Sequence, residues 1–135
     1  MEASKVIQGA PTGGVLDGAD DLFGKMEESY LDIPINKLRV NDYNARKFQE
    51  NLKDPVKSGK FDSLCASVRR LGYLQAILVR PVEGGSFEVV AGERRYHAGM
   101  RIVKEDSLDP GSFTIPSVVR SLDDNTAFDA MISEN

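Results

Sequence analysis

The segment that most constrains the fold runs from residue 77 to 102, where two apolar strands and a helix follow one another almost without linkers. Residues 77–82 and 87–91 are rich in branched and aromatic side chains, and Gly84 and Gly85 between them supply the positive φ of a tight hairpin. The second strand runs directly into a glycine, after which a helix is predicted from residue 93 to about 102. A hairpin joined to a helix excludes an all-helical or an all-β chain.

The preceding residues continue this alternation of strands and helices. We predict a half-buried strand over residues 33–40, a turn over 41–44, and a polar loop or insertion over 50–60. Apolar residues at three- and four-residue spacing predict a helix over residues 61–72, ended by Gly72. Cys65 lies on the apolar stripe of that helix, which indicates a small core residue and not a reactive thiol.

The C-terminal part of the chain adds one strand and one helix to the predicted pattern. Residues 113–120 form the strand, and Pro116 within it favours an edge position or a strand start. Asp123 or Asp124 can cap a final helix that presents Ala127 and Met131 on an apolar face. The predicted fold class is therefore α+β.

The charge of the chain is unevenly placed. The net charge is −4, and residues 1–30 hold six acidic and two basic side chains, so the whole excess lies there. These residues also contain five of the twelve glycines, which predicts a flexible acidic arm with at most one helical turn near residues 20–25. Residues 31–135 are neutral overall, unlike a dedicated DNA-binding module.

Composition narrows the classes of protein to which the chain can belong. There is no signal-peptide pattern and no apolar run of roughly 18 residues, so we expect a cytoplasmic protein with no membrane contact. A single cysteine cannot form an internal disulfide, and a single histidine, His97, cannot form a His-rich metal site.

The candidate site is the start of the helix after Gly92. Backbone N–H groups at a helix N-terminus attract anions, and Arg94 and Arg95 in its first turn oppose the helix dipole unless an anion compensates them. Two parallel hydrogen bonds from an arginine suit a phosphate. The alternative is that both arginines pair with Glu93, Glu88 or other surface carboxylates. The spacing alone leaves both interpretations open.

Four segments together resemble the ParB family of DNA-partition proteins. Residues 92–98, GERRYHA, resemble its GERRxRA box, and residues 71–81, LGYLQAILVRP, resemble its GLLQPIxVRP box. Residues 44–48, NARKF, resemble the earlier NPxQPRKxF segment, and residues 133–135, SEN, match the opening of an ENLQR box. The boxes occur in the family's order and cover about residues 32–135.

The resemblance implies a ParB/sulfiredoxin-like α+β fold, with a small mixed sheet and flanking helices, that binds CTP and Mg²⁺. In the family, CTP closes two such domains into a clamp around DNA, and slow CTP hydrolysis reopens the clamp. Carried over by position, the nucleotide-binding residues are Arg46, Gly72, Gln75, Gly92, Glu93, Arg94 and Arg95. Gln75, near the γ-phosphate, is the candidate catalytic residue, and Glu134 and Asn135 match the positions linked to Mg²⁺.

Three residues depart from the family's pattern. Ala45 and Ala76 stand where proline is usual, and His97 replaces a basic residue of the GERRxRA box. We interpret His97 as a surface residue of the helix in preference to the alternative, a nucleotide ligand. The 50–60 stretch is also longer than the family's usual spacing.

The resemblance implies a nucleotide-binding domain over residues 31–135, cut at its third motif, in a nucleoid-associated protein that self-associates on binding nucleotide. DNA would be contacted through helix-turn-helix regions missing from this chain. Residues 13–24 resemble a leader that contacts a ParA-type ATPase, although a solvating tail is an equal interpretation.

Two other functions stay open: a phosphotransferase of the same fold, and a protein-interaction module that binds no nucleotide. Sulfiredoxin-type chemistry is disfavoured because Glu93 stands where its cysteine would be.

Overall fold

A computed structural model describes residues 28–134 of the chain. Its helices and strands follow in the order β1 (Glu28–Pro34), β2 (Leu38–Arg39), α1 (Asp42–Asn51), α2 (Pro55–Leu71), β3 (Ile77–Val82), β4 (Ser86–Ala91), α3 (Glu93–Glu105), β5 (Thr114–Arg120) and α4 (Asp124–Glu134). The five strands form one sheet in the order β1-β5-β3-β4-β2. Strand β1 is antiparallel to β5 and β3 to β4, whereas β3 is parallel to β5 and β2 to β4. The mixed sheet with flanking helices confirms the predicted fold class.

Several predicted elements are confirmed with small changes. Strands β3 and β4 form the predicted hairpin, and Gly84 and Gly85 adopt φ values of 82° and 76° between them. Helix α3 extends three residues beyond the predicted end at Ile102. Helix α4 is preceded by Asp123, whose carboxylate accepts a hydrogen bond from the Thr126 N–H at 2.7 Å and so acts as the predicted cap.

The prediction of one strand over residues 33–40 was wrong. A 3-10 turn over Ile35–Lys37 divides the segment into β1 and β2, because the chain leaves the sheet after Pro34. There the Ile35 N–H donates to the carbonyl of Phe113 at 2.8 Å. Strand β1 begins at Glu28, within the last three residues of the predicted arm, and the predicted helical turn at 20–25 lies outside the described residues.

The turn at 41–44 and the loop at 50–60 were also wrong, because both stretches contribute to helices. Asn41 caps α1 by accepting a hydrogen bond from the Asn44 N–H at 2.8 Å. Asp54 caps α2 by accepting from the Val56 N–H at 2.9 Å, and Pro55 occupies the first helical position, where a missing N–H costs nothing.

Strand β5 lies inside the sheet, so of the two positions that Pro116 favoured, an edge strand or a strand start, the edge strand was wrong. It is flanked by β1 on one side and β3 on the other. Pairing with β3 runs from Ser117 to Val119, which places Pro116 one residue before that ladder begins. The proline is therefore accommodated at a ladder end, where its missing N–H is not needed by β3.

Helices cover both faces of the sheet. Successive side chains of a strand point to opposite faces, and in β4 the buried Val89 belongs to the core cluster beneath α3 while Val90 packs with Ala127 and Met131 of α4. Helices α1 and α2 pack in turn on α3, through a second cluster of buried residues that consists of Phe48, Phe61, Cys65, Val68, Ala98 and Ile102. This arrangement places the N-terminal end of α3 beside α1 and α2.

Candidate functional site

The junction between β4 and α3 is shaped by one glycine. Gly92 has φ 92° and ψ 27°, a left-handed conformation that glycine adopts without strain. A Cβ at this position would lie 2.8 Å from Cγ2 of Ile77 and 2.9 Å from Nη1 of Arg95. The backbone at residue 92 therefore packs against the sheet more closely than a residue with a Cβ could. The first turn of α3 follows immediately.

The loop after α2 is tied to that first turn by two hydrogen bonds. The Arg95 guanidinium donates to Oε1 of Gln75, and the Tyr73 hydroxyl donates to the carbonyl of Arg95 at 2.9 Å. Two residues predicted from separate motifs, Gln75 and Arg95, are thus in direct contact. Tyr73 was not predicted, although it stands inside the same motif, between Gly72 and Gln75.

The carboxylates that could have neutralised the arginine pair are engaged elsewhere. Glu88 forms an ion pair with Arg80 at 2.8 Å, and Glu93 faces Nε2 of His97 at 3.6 Å. Within residues 28–134, no ion pair joins Arg94 or Arg95 to a carboxylate. Of the two interpretations of this helix start, surface ion pairing is thereby disfavoured.

His97 is not the surface residue that we expected. Its side chain is only 15% exposed, and its ring stacks on Phe48 with centroids 3.8 Å apart and an angle of 8° between the planes. The stacking fills the space between α1 and α3, which is the physical reason for the burial. Glu93, 13% exposed, lies beside it and contributes a largely buried carboxylate to the site.

A cavity of about 420 Å³ opens where α1, α2 and the start of α3 meet. Its lining combines an apolar floor with a cationic wall, and consists of Lys47, Phe48, Asn51, Leu52, Lys57, Lys60, Phe61, Leu64, Gly92, Glu93, Arg94 and Arg95. Five of these side chains are basic and one is acidic, so the cavity is suited to a multiply charged anion. Phe48 and Phe61 meet edge to face in the floor, with ring centroids 4.9 Å apart.

The structure brings some of the predicted site residues to this cavity and not others. Gly92, Glu93, Arg94 and Arg95 border it, and Gln75 reaches it through its bond to Arg95. Arg46 is exposed on α1 outside the lining, and Gly72, with φ 77°, ends α2 in the loop that leads to Gln75. Glu134 is the last residue of α4, and Asn135 lies outside the described residues, so the Mg²⁺ pair stays a prediction.

Three lysines of the cavity were missed by the sequence analysis. Lys47 is on α1, and Lys57 and Lys60 are on α2. The signal for the latter two was their three-residue spacing, which places both on one helical face. It was overlooked because the surrounding stretch was predicted to be a loop.

The single cysteine takes no part in the site. Cys65 is 2% exposed in the cluster between α2 and α3, which confirms the predicted core role. Burial raises the pKa of its thiol, against a smaller lowering by the nearby Arg101, so the neutral thiol predominates.

Within residues 28–134 there is no group of three or more His, Cys, Asp or Glu side chains that could hold a metal ion. Over the same residues, none of the helices has the length and apolar character needed to cross a membrane.

Comparison with known families decides the identity of the domain. The family model described as ParB N-terminal domain matches residues 20–135. The chain belongs to the ParB N-terminal domain family. The resemblance carried by the four motifs is therefore confirmed.

Relatives of this ParB-type chain are partition and nucleoid occlusion proteins. The chain is 34% identical over 124 residues to the chromosome-partitioning protein Spo0J of Thermus thermophilus, covering 90% of this chain and 39% of that protein. It is 32% identical over 118 residues to a probable plasmid-partitioning protein ParB of Xylella fastidiosa, covering 87% and 26%. The chain thus spans well under half the length of these relatives.

Solved structures agree with this assignment. The C-terminally truncated ParB of Caulobacter crescentus complexed with CTP-gamma-S superposes with a TM-score of 0.57 at 35% identity, covering 79% of this chain and 52% of that one. The same protein complexed to the centromeric parS site gives a TM-score of 0.53 at 31% identity, covering 78% and 46%. Sulfiredoxin of Arabidopsis thaliana, at 22% identity and a TM-score of 0.51 over 76% of this chain and 96% of its own, shares the fold.

Proposed function

We propose that this ParB-type chain is the CTP-binding switch domain of a partition protein that clamps on DNA. The observation that carries the proposal is the cavity bordered by Gly92, Arg94 and Arg95, whose arginines form no ion pair with a described carboxylate. The related Caulobacter protein, 35% identical, is complexed with CTP-gamma-S, which supports CTP as the ligand.

The residues of the cavity fit a nucleoside triphosphate by charge and by shape. Arg94 and Arg95 would donate hydrogen bonds to phosphate oxygens, and the first N–H groups of α3 add the positive end of the helix dipole. Gly92 borders the cavity without a side chain, so its backbone could approach a phosphate closely. A nucleotide bound over the apolar floor would displace water there, which would strengthen each interaction.

Gln75 has two roles in the proposal. It holds the guanidinium of Arg95 through its amide oxygen, and it would lie near the γ-phosphate, where it could orient the water that attacks during slow CTP hydrolysis. Glu93 would help to order the start of α3 through its contact with His97. Arg46 would approach the nucleotide from α1, and Glu134 and Asn135 would supply the hard oxygen ligands that Mg²⁺ prefers.

The proposed conformational switch would operate when one bound anion orders several separate elements of the domain. The loop after α2, the start of α3 and the end of α4 would be drawn together by the phosphates and Mg²⁺, and two domains would then associate. In the full-length protein this closure would hold DNA, which regions outside this chain would contact, and place the protein on the nucleoid. The N-terminal arm would meet a ParA-type ATPase.

Titration calorimetry with Mg²⁺ tests the proposal. We expect CTP to bind in preference to ATP and GTP, and Arg94→Ala and Arg95→Ala each to weaken CTP binding by more than about tenfold, because a charge-assisted hydrogen bond contributes about 1.5–3 kcal/mol. Arg39→Ala is the matched control, since Arg39 is exposed and lies outside the cavity lining. Equal affinity for CTP and ATP, or equal losses in all three variants, contradicts the proposal.

A further inference from the structure

The cavity has a cationic wall that the arginine motif does not account for. Lys57, Lys60, Phe61 and Leu64 border it from α2, and their spacing of three, four and seven residues places them on a single helical face. The start of α2 is fixed by the Asp54 cap and by proline at its first position. Both lysines are therefore presented by a rigid helix and not by a loop.

The charge of these lysines is not neutralised by the acidic groups of their own segment. Glu50 pairs with Lys53 at 3.9 Å, Asp54 accepts the Val56 N–H, and Asp62 pairs with Arg101 at 2.7 Å. Within residues 28–134, neither Lys57 nor Lys60 forms an ion pair with a carboxylate.

The contact that Lys57 does make leaves its charge intact. Its ammonium group donates to the amide oxygen of Asn51 at 3.3 Å, and Asn51 borders the same cavity. A neutral amide can hold the lysine at the rim without competing for it electrostatically. Lys57 therefore keeps its full positive charge at the rim of the cavity, where an anion could bind.

We propose that Lys57 and Lys60 form a second phosphate-binding wall, which binds the polyphosphate chain of the ligand together with Arg94 and Arg95. The inference deepens the proposed function and rests on the same cavity. It assigns a role to the 50–60 stretch, in which α2 begins and from which two cations reach the cavity. The ligand class is a nucleotide or other anion with several linked phosphates, because five basic side chains line the cavity against one acidic side chain.

The experiment compares wild type with Lys57→Ala/Lys60→Ala by calorimetry, using CTP, CMP and inorganic tripolyphosphate as probes. We expect the double variant to lose about 10- to 50-fold in affinity for CTP and for tripolyphosphate, and less than about twofold for CMP. Lys57→Arg/Lys60→Arg should restore most of the binding. Lys53→Ala is the matched control, because Lys53 is 76% exposed, comes from the same stretch and lies outside the lining.

The outcomes separate this inference from the proposed function. If wild type binds CTP and the double variant binds it equally well, or if the loss is the same for CMP, the lysine wall is wrong while the CTP site stands. If wild type binds tripolyphosphate through the lysines but binds CTP no more tightly than ATP, the lysine wall stands and the proposed function fails. If wild type binds neither CTP nor tripolyphosphate, both are overturned. Both lysines are exposed, so thermal unfolding should be unchanged in the variants.

Discussion

The replacement Gly92→Ala tests the reasoning about how the site is built. Two costs are expected: a left-handed conformation costs a residue with a Cβ about 1–2 kcal/mol, and inserting a methyl group into a packed interior costs about 1–3 kcal/mol. The new Cβ would lie 2.8 Å from Cγ2 of Ile77, a side chain 1% exposed in the centre of the sheet, so it cannot easily be relieved. We expect a loss of about 2–5 kcal/mol in the free energy of unfolding.

A matched glycine separates the two costs. Gly84 has nearly the same conformation, with φ 82° and ψ 14°, but a Cβ there meets no atom within 4 Å. Gly84→Ala should therefore lose only the conformational cost of about 1–2 kcal/mol. Urea denaturation of both variants measures the difference, which should also appear as a lower Tm, by about 3–4 °C for each kcal/mol in a chain of this size. Equal destabilisation of the two variants would refute the argument that close packing against Ile77 requires glycine.

Three further predictions concern stability. Asn41→Ala should lose about 1 kcal/mol in urea denaturation, because the cap on the Asn44 N–H disappears, whereas Asn41→Asp should keep most of it; equal loss in both variants would contradict the cap. Tyr73→Phe should cost about 1 kcal/mol by leaving the carbonyl of Arg95 without the hydroxyl, and no change in the urea midpoint would count against that bond. Burial raises the pKa of the Cys65 thiol, so the unfolded chain loses this proton at lower pH than the folded one. The associated stability is fully present below the ordinary thiol pKa of 9.0 and falls as the pH rises above it. The same slope of stability against pH in Cys65→Ala would contradict this assignment.

The arginine–glycine site could be predicted from sequence because its determinants are local. Gly92, Arg94 and Arg95 are neighbours in the chain, and a strand followed by glycine and a helix start brings their backbone and side chains together whatever the rest of the fold does. The hairpin could be predicted for the same reason, since Gly84 and Gly85 determine it within a few residues.

The second wall of the cavity could not be predicted because it depends on tertiary packing. Pro55 and Gly59 made residues 50–60 resemble a loop, yet proline is tolerated in the first turn and a glycine inside a helix costs only about 1 kcal/mol. The burial of Phe61 and Cys65 against α3 outweighs that cost and holds the helix together. The signal that was available is the Asp54-Pro55 pair, which is typical of a helix start.

The order of the strands and the burial of His97 could not be predicted from local sequence patterns either, because both depend on tertiary packing. Nothing near Pro116 indicates that β5 is flanked on both sides, since that depends on where β1 and β3 are placed. His97 is polar and lies at a position where an exposed residue was expected, but α1 supplies Phe48 against its ring. Each of these outcomes is decided by a partner distant in sequence.

The central claim, that the start of α3 is the phosphate-binding part of a CTP site, is tested most directly by a nuclear magnetic resonance titration. Amide resonances of the folded chain would be followed while CTP or ATP is added in the presence of Mg²⁺. We expect saturable shifts with CTP at residues 92–95 and at the cavity residues of α1 and α2, and smaller shifts with ATP at the same concentration. Amides at 92–95 that do not move with CTP, or that move equally with both nucleotides, would contradict it.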